Sequence, residues 1–405
     1  MAVLKNTFAT AMFKVLGALF TMAVIYVAGK IASADGLGAY FYYFSFIVML
    51  SCLMRFGLDI FIVQGSQCGE KISAVYTVGL AYSTCVAVAS CLILFFLYYL
   101  KIGKGNISIW LLVVLSAYFW SLIDLICSLD WLRQKHIKSS LLKYSMFPVV
   151  HLIIYLNVVL IDLDGDKLVV LLVTLTSSLI LAFMLVVIVV EGSLKNLVRV
   201  SGSQITDTLS SSSVIFAENI LTMVTANLPV IFLGGFASAE ANAVYGVARR
   251  LSNVMGFLST SAVRVITPVF ASCRSQSGKS EILNQKKNME NLLSIVMLGS
   301  AFMSLLFGQA VLDAFGLAAS SWILTLLLLA HLFNMRVATN TAFFQVMSRP
   351  LLGMNLAILS CIGSALLLWP LSANAGLYGV VVAILIVSII LAYISNVMIF
   401  QVYKV

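Results

Sequence analysis

The chain has 405 residues, of which 62% are hydrophobic and only 10% charged, with a mean hydropathy of +1.09. Soluble domains carry about 25% charged residues, so this composition excludes a soluble fold and points to an integral membrane protein. The formal net charge of +9 reads as the loop bias that orients membrane helices, and no nucleic-acid partner is expected because no basic and aromatic surface module accompanies it.

Apolar runs near the ~20 residues needed to cross a bilayer recur over 11–30, 39–62, 73–99, 107–129, 141–160, 168–190, 211–233, 243–265, 289–311, 320–345, 351–370 and 376–402. A β-barrel is excluded, because barrel strands alternate apolar and polar residues, whereas LLVTLTSSLILAFMLVVIVV (171–190) is apolar nearly throughout.

The first two spans are joined by GKIASADGLGAY (29–40), which looks like a signal-peptide cleavage site until it recurs as GGFASAEANAVY (234–245), 205 residues later. Gly29, Ala32, Ser33, Ala34 and Tyr40 fall on Gly234, Ala237, Ser238, Ala239 and Tyr245, and Asp35 falls on Glu240. A processing site does not recur in mid-chain. The pair marks an internal repeat of two six-helix halves, 1–190 and 211–405, joined by a cytoplasmic linker at 191–210. Halves with an even number of spans insert the same way up, related by an axis along the membrane normal, and such bundles enclose a central cleft. The fold class is therefore an all-α membrane protein of twelve helices in two pseudo-symmetric bundles.

An ionised side chain near a bilayer centre costs about 2.5–3.5 kcal/mol on insertion scales, so those inside spans are the candidate site residues. In the second span, MRFGLDIF sets Arg55 and Asp59 four residues apart on one helix face. They either neutralise each other or face a cavity. The fourth span holds Asp124, which either binds a coupling ion or pairs with a lysine of the following loop. In the seventh span Glu218, Thr222 and Thr225 share a face, and Pro229 is expected to kink the helix.

The eighth span, VYGVARRLSNVMGF (244–257), carries a stripe of Tyr245, Arg249, Ser252, Asn253 and Gly256, with Arg250 about 100° away round the helix. The tenth, HLFNMRVATNTAFFQ (331–345), places His331, Asn334, Thr341 and Gln345 on one face and Arg336 with Asn340 on another. Arg336 has no acidic neighbour in its own helix, so it needs a partner elsewhere, a hydrated cavity or an anionic ligand.

Loops after even-numbered spans hold Lys71, Arg133, Lys135, Lys138, Lys143, Lys195, Arg199, Arg274, Lys279, Lys286, Lys287 and Arg349, whereas the opposite loops hold Lys30, Lys101, Lys104 and Lys167. By the positive-inside rule both termini are cytoplasmic. The seven cysteines form no CxxC pair, and no P-loop, HExxH or GxSxG signature is present. Neither an enzyme nor a bound metal or cofactor is expected, which leaves an ion gradient (H+ or Na+), the substrate's own gradient or no energy source at all.

ADGLGAYFYYFSF (34–46), RFGLDIFIVQ (55–64), DWLRQKHIKSSLLK (130–143), VYGVARRLSNVMGFLSTSAVRVITPVFA (244–271) and GLYGVVVAILI (376–386) resemble segments of the multidrug/oligosaccharidyl-lipid/polysaccharide exporter superfamily. Within it the chain resembles bacterial polysaccharide flippases of the Wzx type. The resemblance implies an inner-membrane flippase in O-antigen and lipopolysaccharide biosynthesis. Its cargo is an undecaprenyl-diphosphate-linked oligosaccharide, turned from the cytoplasmic to the periplasmic leaflet by alternating access. It also implies membrane lipids, a polysaccharide polymerase and glycosyltransferases as partners. Arg249, Arg336, Arg55 and Arg250 would supply positive charge to the diphosphate, and Tyr245, Asn253, Asn334, Thr222 and Gln345 would bond sugar hydroxyls. Glu218, Asp124 or Asp59 would take and release the coupling ion. The alternative in the same superfamily is a drug/cation antiporter, which relies on acidic residues instead.

Overall fold

The computed structural model describes residues 2–404 except 32, 65–71, 101–105, 133–135, 161–166, 191–197, 277–278, 318 and 347–348. Among the described residues every regular element is helical. The helices are α1 (Ala2–Ile31), α2 (Ala34–Arg55), α3 (Leu58–Gln64), α4 (Ile72–Tyr99), α5 (Ile107–Leu132) and α6 (His136–Ser140). A π-helical turn at Leu141–Met146 leads into α7 (Phe147–Leu160), followed by α8 (Lys167–Val189), α9 (Gly202–Phe236) and α10 (Ala239–Gln276). The last are α11 (Lys279–Ala314), α12 (Ser321–Val346) and α13 (Pro350–Lys404).

Ten helices are long and apolar enough to cross a membrane. One of them, Leu351–Gln401, has 51 residues, far more than a ~30 Å hydrocarbon layer takes at about 1.5 Å per residue. It is two helices meeting at Gly376, whose φ of 54° and ψ of −130° leave the helical region. The 38 residues of α10 supply the remaining crossing, made more polar by Arg249 and Arg250. Twelve crossings result, as the sequence predicts. The exterior is oily: Phe96, Ile188, Ile295, Leu366 and Phe400 are among the exposed side chains, a distribution suited to acyl chains rather than water.

The repeated Ala-Ser-Ala is a helix start. Ser33 Oγ accepts the backbone N–H of Gly36 at 3.2 Å, and Ser238 Oγ accepts that of Ala241 at 3.1 Å. Each serine thus satisfies one of the amides that a helix leaves unpaired at its N-terminus. Asp35 and Glu240 in the first turns of α2 and α10 face the positive end of the helix dipole.

The chain divides into two compact units, one of 1–28 with 40–224 and the other of 29–39 with 225–405. Helix α9 contributes to both, continues through Pro229, and includes residues 202–210, which the sequence assigns to a linker. In the first unit α5 is the central helix: 121–130 are all buried, and Ser116 Oγ meets Thr176 Oγ1 of α8 at 2.8 Å. In the second unit α12 takes that place. It is tied to α11 through Ser304 and Thr325 (3.0 Å) and to α13 through Asn340 and Ser395 (2.8 Å). These are the fourth helices of the two repeats.

Within the second unit the two repeat motifs pack on each other. Asn242 Nδ2 donates to Gly38 O at 3.0 Å, and a Cβ on Gly38 would overlap the carbonyl oxygen of Ala239. Backbone approaches this close between membrane helices need glycine. Gly38→Val is expected to cost about 1–3 kcal/mol, read as a lowered Tm and a reduced monodisperse fraction of purified protein. Gly299→Val, with nothing within 4 Å of the added carbon, serves as the neutral control.

Candidate functional site

The first unit gathers four charges. Arg55 ends α2, and the chain then breaks: Phe56 and Gly57 take φ of 50° and 69°, a region costly for phenylalanine and free for glycine. The break is held from outside. Phe56 stacks on Phe216 of α9 with ring centroids 4.2 Å apart, and a Cβ on Gly57 would come within 2.9 Å of the Phe216 nitrogen. Ser83 Oγ donates to the Met54 carbonyl at 2.8 Å.

With the chain so turned, Arg55 Nη1 bonds Asp59 Oδ2 at 3.0 Å and also Asp124 Oδ2 of α5, while its Nε donates to Ser51 O at 3.2 Å. Lys143 Nζ reaches Asp124 Oδ1 at 2.9 Å. Lys143 stands in the π-helical turn, a local widening often found where a helix must aim a side chain. The same turn docks α1: Ser145 Oγ donates to Phe13 O at 2.9 Å, and Gly17 lies against the Tyr144 carbonyl.

Of the alternatives left open by the sequence, this geometry favours ion pairing within the chain. Arg55, expected among the cargo-binding arginines, is neutralised by two carboxylates. Asp59 and Asp124, expected among ion-coupling groups, hold cations of the chain itself. Asp124 has a side chain only 4% exposed, and a charge so buried is stable only when paired and hydrogen-bonded. Glu218 is half-buried on α9 and has no basic partner among the described residues. Thr222, exposed, donates its hydroxyl to Glu218 O at 2.8 Å within the helix.

The second unit differs. Arg249 is half-buried on α10, with Tyr245 fully buried one turn before it and Asn253 half-buried one turn after. On α12, Arg336 is half-buried and Asn334 exposed. Among the described residues neither Arg249 nor Arg336 has a carboxylate partner. Arg250 is half-buried. The side chain of Gln345 lies outside the described residues. Asn340 is taken up in the core, bonding Ser395 Oγ at 2.8 Å and Asn396 Oδ1 at 2.9 Å. Glu290, a half-buried acid of α11, is satisfied by Lys286 at 2.8 Å and Thr339 at 2.5 Å.

Three features go beyond the sequence reading. A lysine of the following loop is among the expected partners of Asp124, and Lys143 takes that place, but its position after a helix-start segment gives no sign of the π turn. Asp130 opens the charged segment DWLRQKHIKSSLLK, yet it is fully buried, with Lys138 Nζ at 3.6 Å. The Lys286–Glu290 pair is visible as an i, i+4 spacing, but its burial is not. Among the described residues no His, Cys, Asp and Glu cluster could hold a metal ion.

Removing one member of a buried ion pair strands the other, at about 3–5 kcal/mol. Asp124→Asn, which strands Arg55 and Lys143, is therefore expected to reduce the yield of folded, membrane-inserted protein sharply. Glu218→Gln should leave it unchanged. Wild-type yield and Tm for Asp124→Asn would show that the cluster is not structural.

The architecture has solved counterparts. A multidrug resistance MATE family transporter of the MOP superfamily in an inward-facing conformation matches with a TM-score of 0.76 at 13% identity, over 97% of this chain and 96% of that one. The lipid II flippase MurJ in an inward closed conformation matches with a TM-score of 0.77 at 15% identity, over 98% and 87%. A MOP superfamily transporter from Pyrococcus furiosus, described as having a binding pocket of reverse polarity, matches with a TM-score of 0.68 at 13% identity, over 98% and 94%. Identities this low establish the shared fold alone. No curated protein sequence matches the chain. The family model for polysaccharide biosynthesis proteins matches residues 3–274, well over half of the chain. The protein is a multi-pass membrane protein with the transporter and flippase fold of this superfamily, and it belongs to the polysaccharide biosynthesis protein family.

Proposed function

We propose that the protein is a flippase that turns an undecaprenyl-diphosphate-linked oligosaccharide, such as an O-antigen unit, from the cytoplasmic to the periplasmic leaflet of the bacterial inner membrane. One observation carries this reading: in the second unit Arg249 and Arg336 are embedded without a carboxylate partner among the described residues, whereas in the first unit Arg55, Lys143, Asp59 and Asp124 cancel. Unpaired guanidinium groups at this depth are stable next to water or an anion. A diphosphate offers oxygens that arginine binds bidentately, and the amides of Asn253 and Asn334 suit sugar hydroxyls. The prenyl tail stays in lipid, so only the polar head requires a protein path.

The same surplus of positive charge weighs against a drug/cation antiporter, which needs acidic groups free to bind its cargo. Here Asp59 and Asp124 are neutralised, and Glu218 is the acid that remains for H+ or Na+ coupling. Transport proceeds by alternating access, with the site open to one leaflet and then the other. Both termini lie in the cytoplasm, where a polymerase and glycosyltransferases of the pathway would meet the protein or its cargo.

In cells lacking their own flippase, Arg249→Ala is expected to lower surface polysaccharide at least tenfold, with membrane insertion unchanged. Arg249→Lys should restore part of it, since the charge is kept and the fork is lost. Immunoblots of surface polysaccharide and of the membrane fraction measure both. Full polysaccharide from a well-inserted Arg249→Ala protein would refute the site.

A further inference from the structure

The polar stripe of α10 and the polar face of α12 meet at a notch. A Cβ built on Gly256 would lie 3.4 Å from Cε1 and 3.6 Å from Nδ1 of His331, so the imidazole rests directly on the α10 backbone. Arg249 is two turns back along the same face of α10, within electrostatic reach of both His331 and Tyr245. Asn253 lies between them. Among the described residues the His331 ring has no hydrogen-bond or ion-pair partner. Among the described residues, a titratable ring without such a partner lies within electrostatic reach of a guanidinium without a carboxylate partner.

We propose that His331 is a second contact for the anionic headgroup and takes up a proton when that headgroup binds beside Arg249. The proposal rests on reading the α10 stripe as the cargo site. The argument is one of charge. A diphosphate esterified at both ends carries two negative charges, and Arg249 offers one positive charge. A neutral imidazole adds one N–H donor, whereas the imidazolium adds the second charge and a second donor. Negative charge arriving next to the ring favours its protonated form. By reciprocity, proton and headgroup then strengthen each other's binding.

The other charged groups nearby do not replace the cargo in this role. On α10, Arg250 points about 100° away from Arg249, and Glu240 sits in the first turn. On α12, Arg336 is five residues on, about 140° round the helix. On α11, Lys286, Lys287 and Glu290 lie near the start and Asp313 near the end; Glu290 is held by Lys286 and Thr339. On α13 the first charged residue is Lys404. Among the described residues only Arg249 acts electrostatically on His331, and no carboxylate among them competes for the proton.

The test is calorimetric titration of the full-length protein in detergent with citronellyl-diphosphate-linked N-acetylglucosamine. It is run in phosphate and in Tris at pH about 7.5–8, above the ordinary imidazole range. The different ionisation heats of the two buffers report proton uptake. Wild type is expected to take up a measurable fraction of a proton per headgroup, with affinity falling as the pH rises. His331→Gln is expected to bind without proton uptake and with pH-independent affinity. Uptake retained in His331→Gln, or wild-type binding without uptake, overturns the role of His331 and leaves the cargo site standing. A monodisperse wild-type protein that does not bind the analogue at all removes the cargo reading, and His331 with it. Should His331→Gln fail to fold, His331→Asn takes its place in the same two-buffer comparison.

Discussion

Every charged group within an apolar slab has to be compensated where it stands, by an opposite charge, by water or by a ligand, and this protein meets the requirement in two ways. The first unit compensates internally. Asp124 accepts from Arg55 and Lys143, Asp59 takes a second bond from Arg55, and the four charges cancel. The second unit leaves Arg249 and Arg336 without acidic partners among the described residues. The difference separates a group compensated by the chain itself from one left to water or a ligand.

Internal compensation depends on two departures from regular helix. Arg55 can turn towards α5 because the chain breaks at Phe56 and Gly57, and the break persists because Phe216 stacks against it. Lys143 reaches Asp124 from a π-helical turn whose neighbours, Tyr144 and Ser145, also receive α1. Strained backbone survives where surrounding contacts over-determine it. The ion cluster, the break and the π turn therefore form one mechanical assembly, and each explains the geometry of the others.

Shared architecture with a MATE transporter and the MurJ flippase does not decide what is carried, because related folds host different cargoes. The proposed cargo rests on side-chain chemistry: guanidinium, amide and imidazole groups on α10 and α12 suit an anionic, hydroxyl-rich headgroup. The family match to polysaccharide biosynthesis proteins agrees with that chemistry without naming the sugar.

The amino-acid sequence alone determined the membrane class, the twelve crossings and the repeat, because apolar runs of bilayer length and a motif recurring 205 residues apart are one-dimensional signals. It also showed which ionisable residues lie inside spans. It could not say which of them cancel. Arg55 and Asp124 are 69 residues apart in the chain, and their pairing arises only when α2 breaks and α5 packs beside it. The meeting of Gly256 with His331 is likewise invisible to helical spacing, which orders residues within one helix and says nothing of the face a neighbour presents. Tertiary packing decided those partnerships, since compensation of charge depends on distances across helices rather than along the chain.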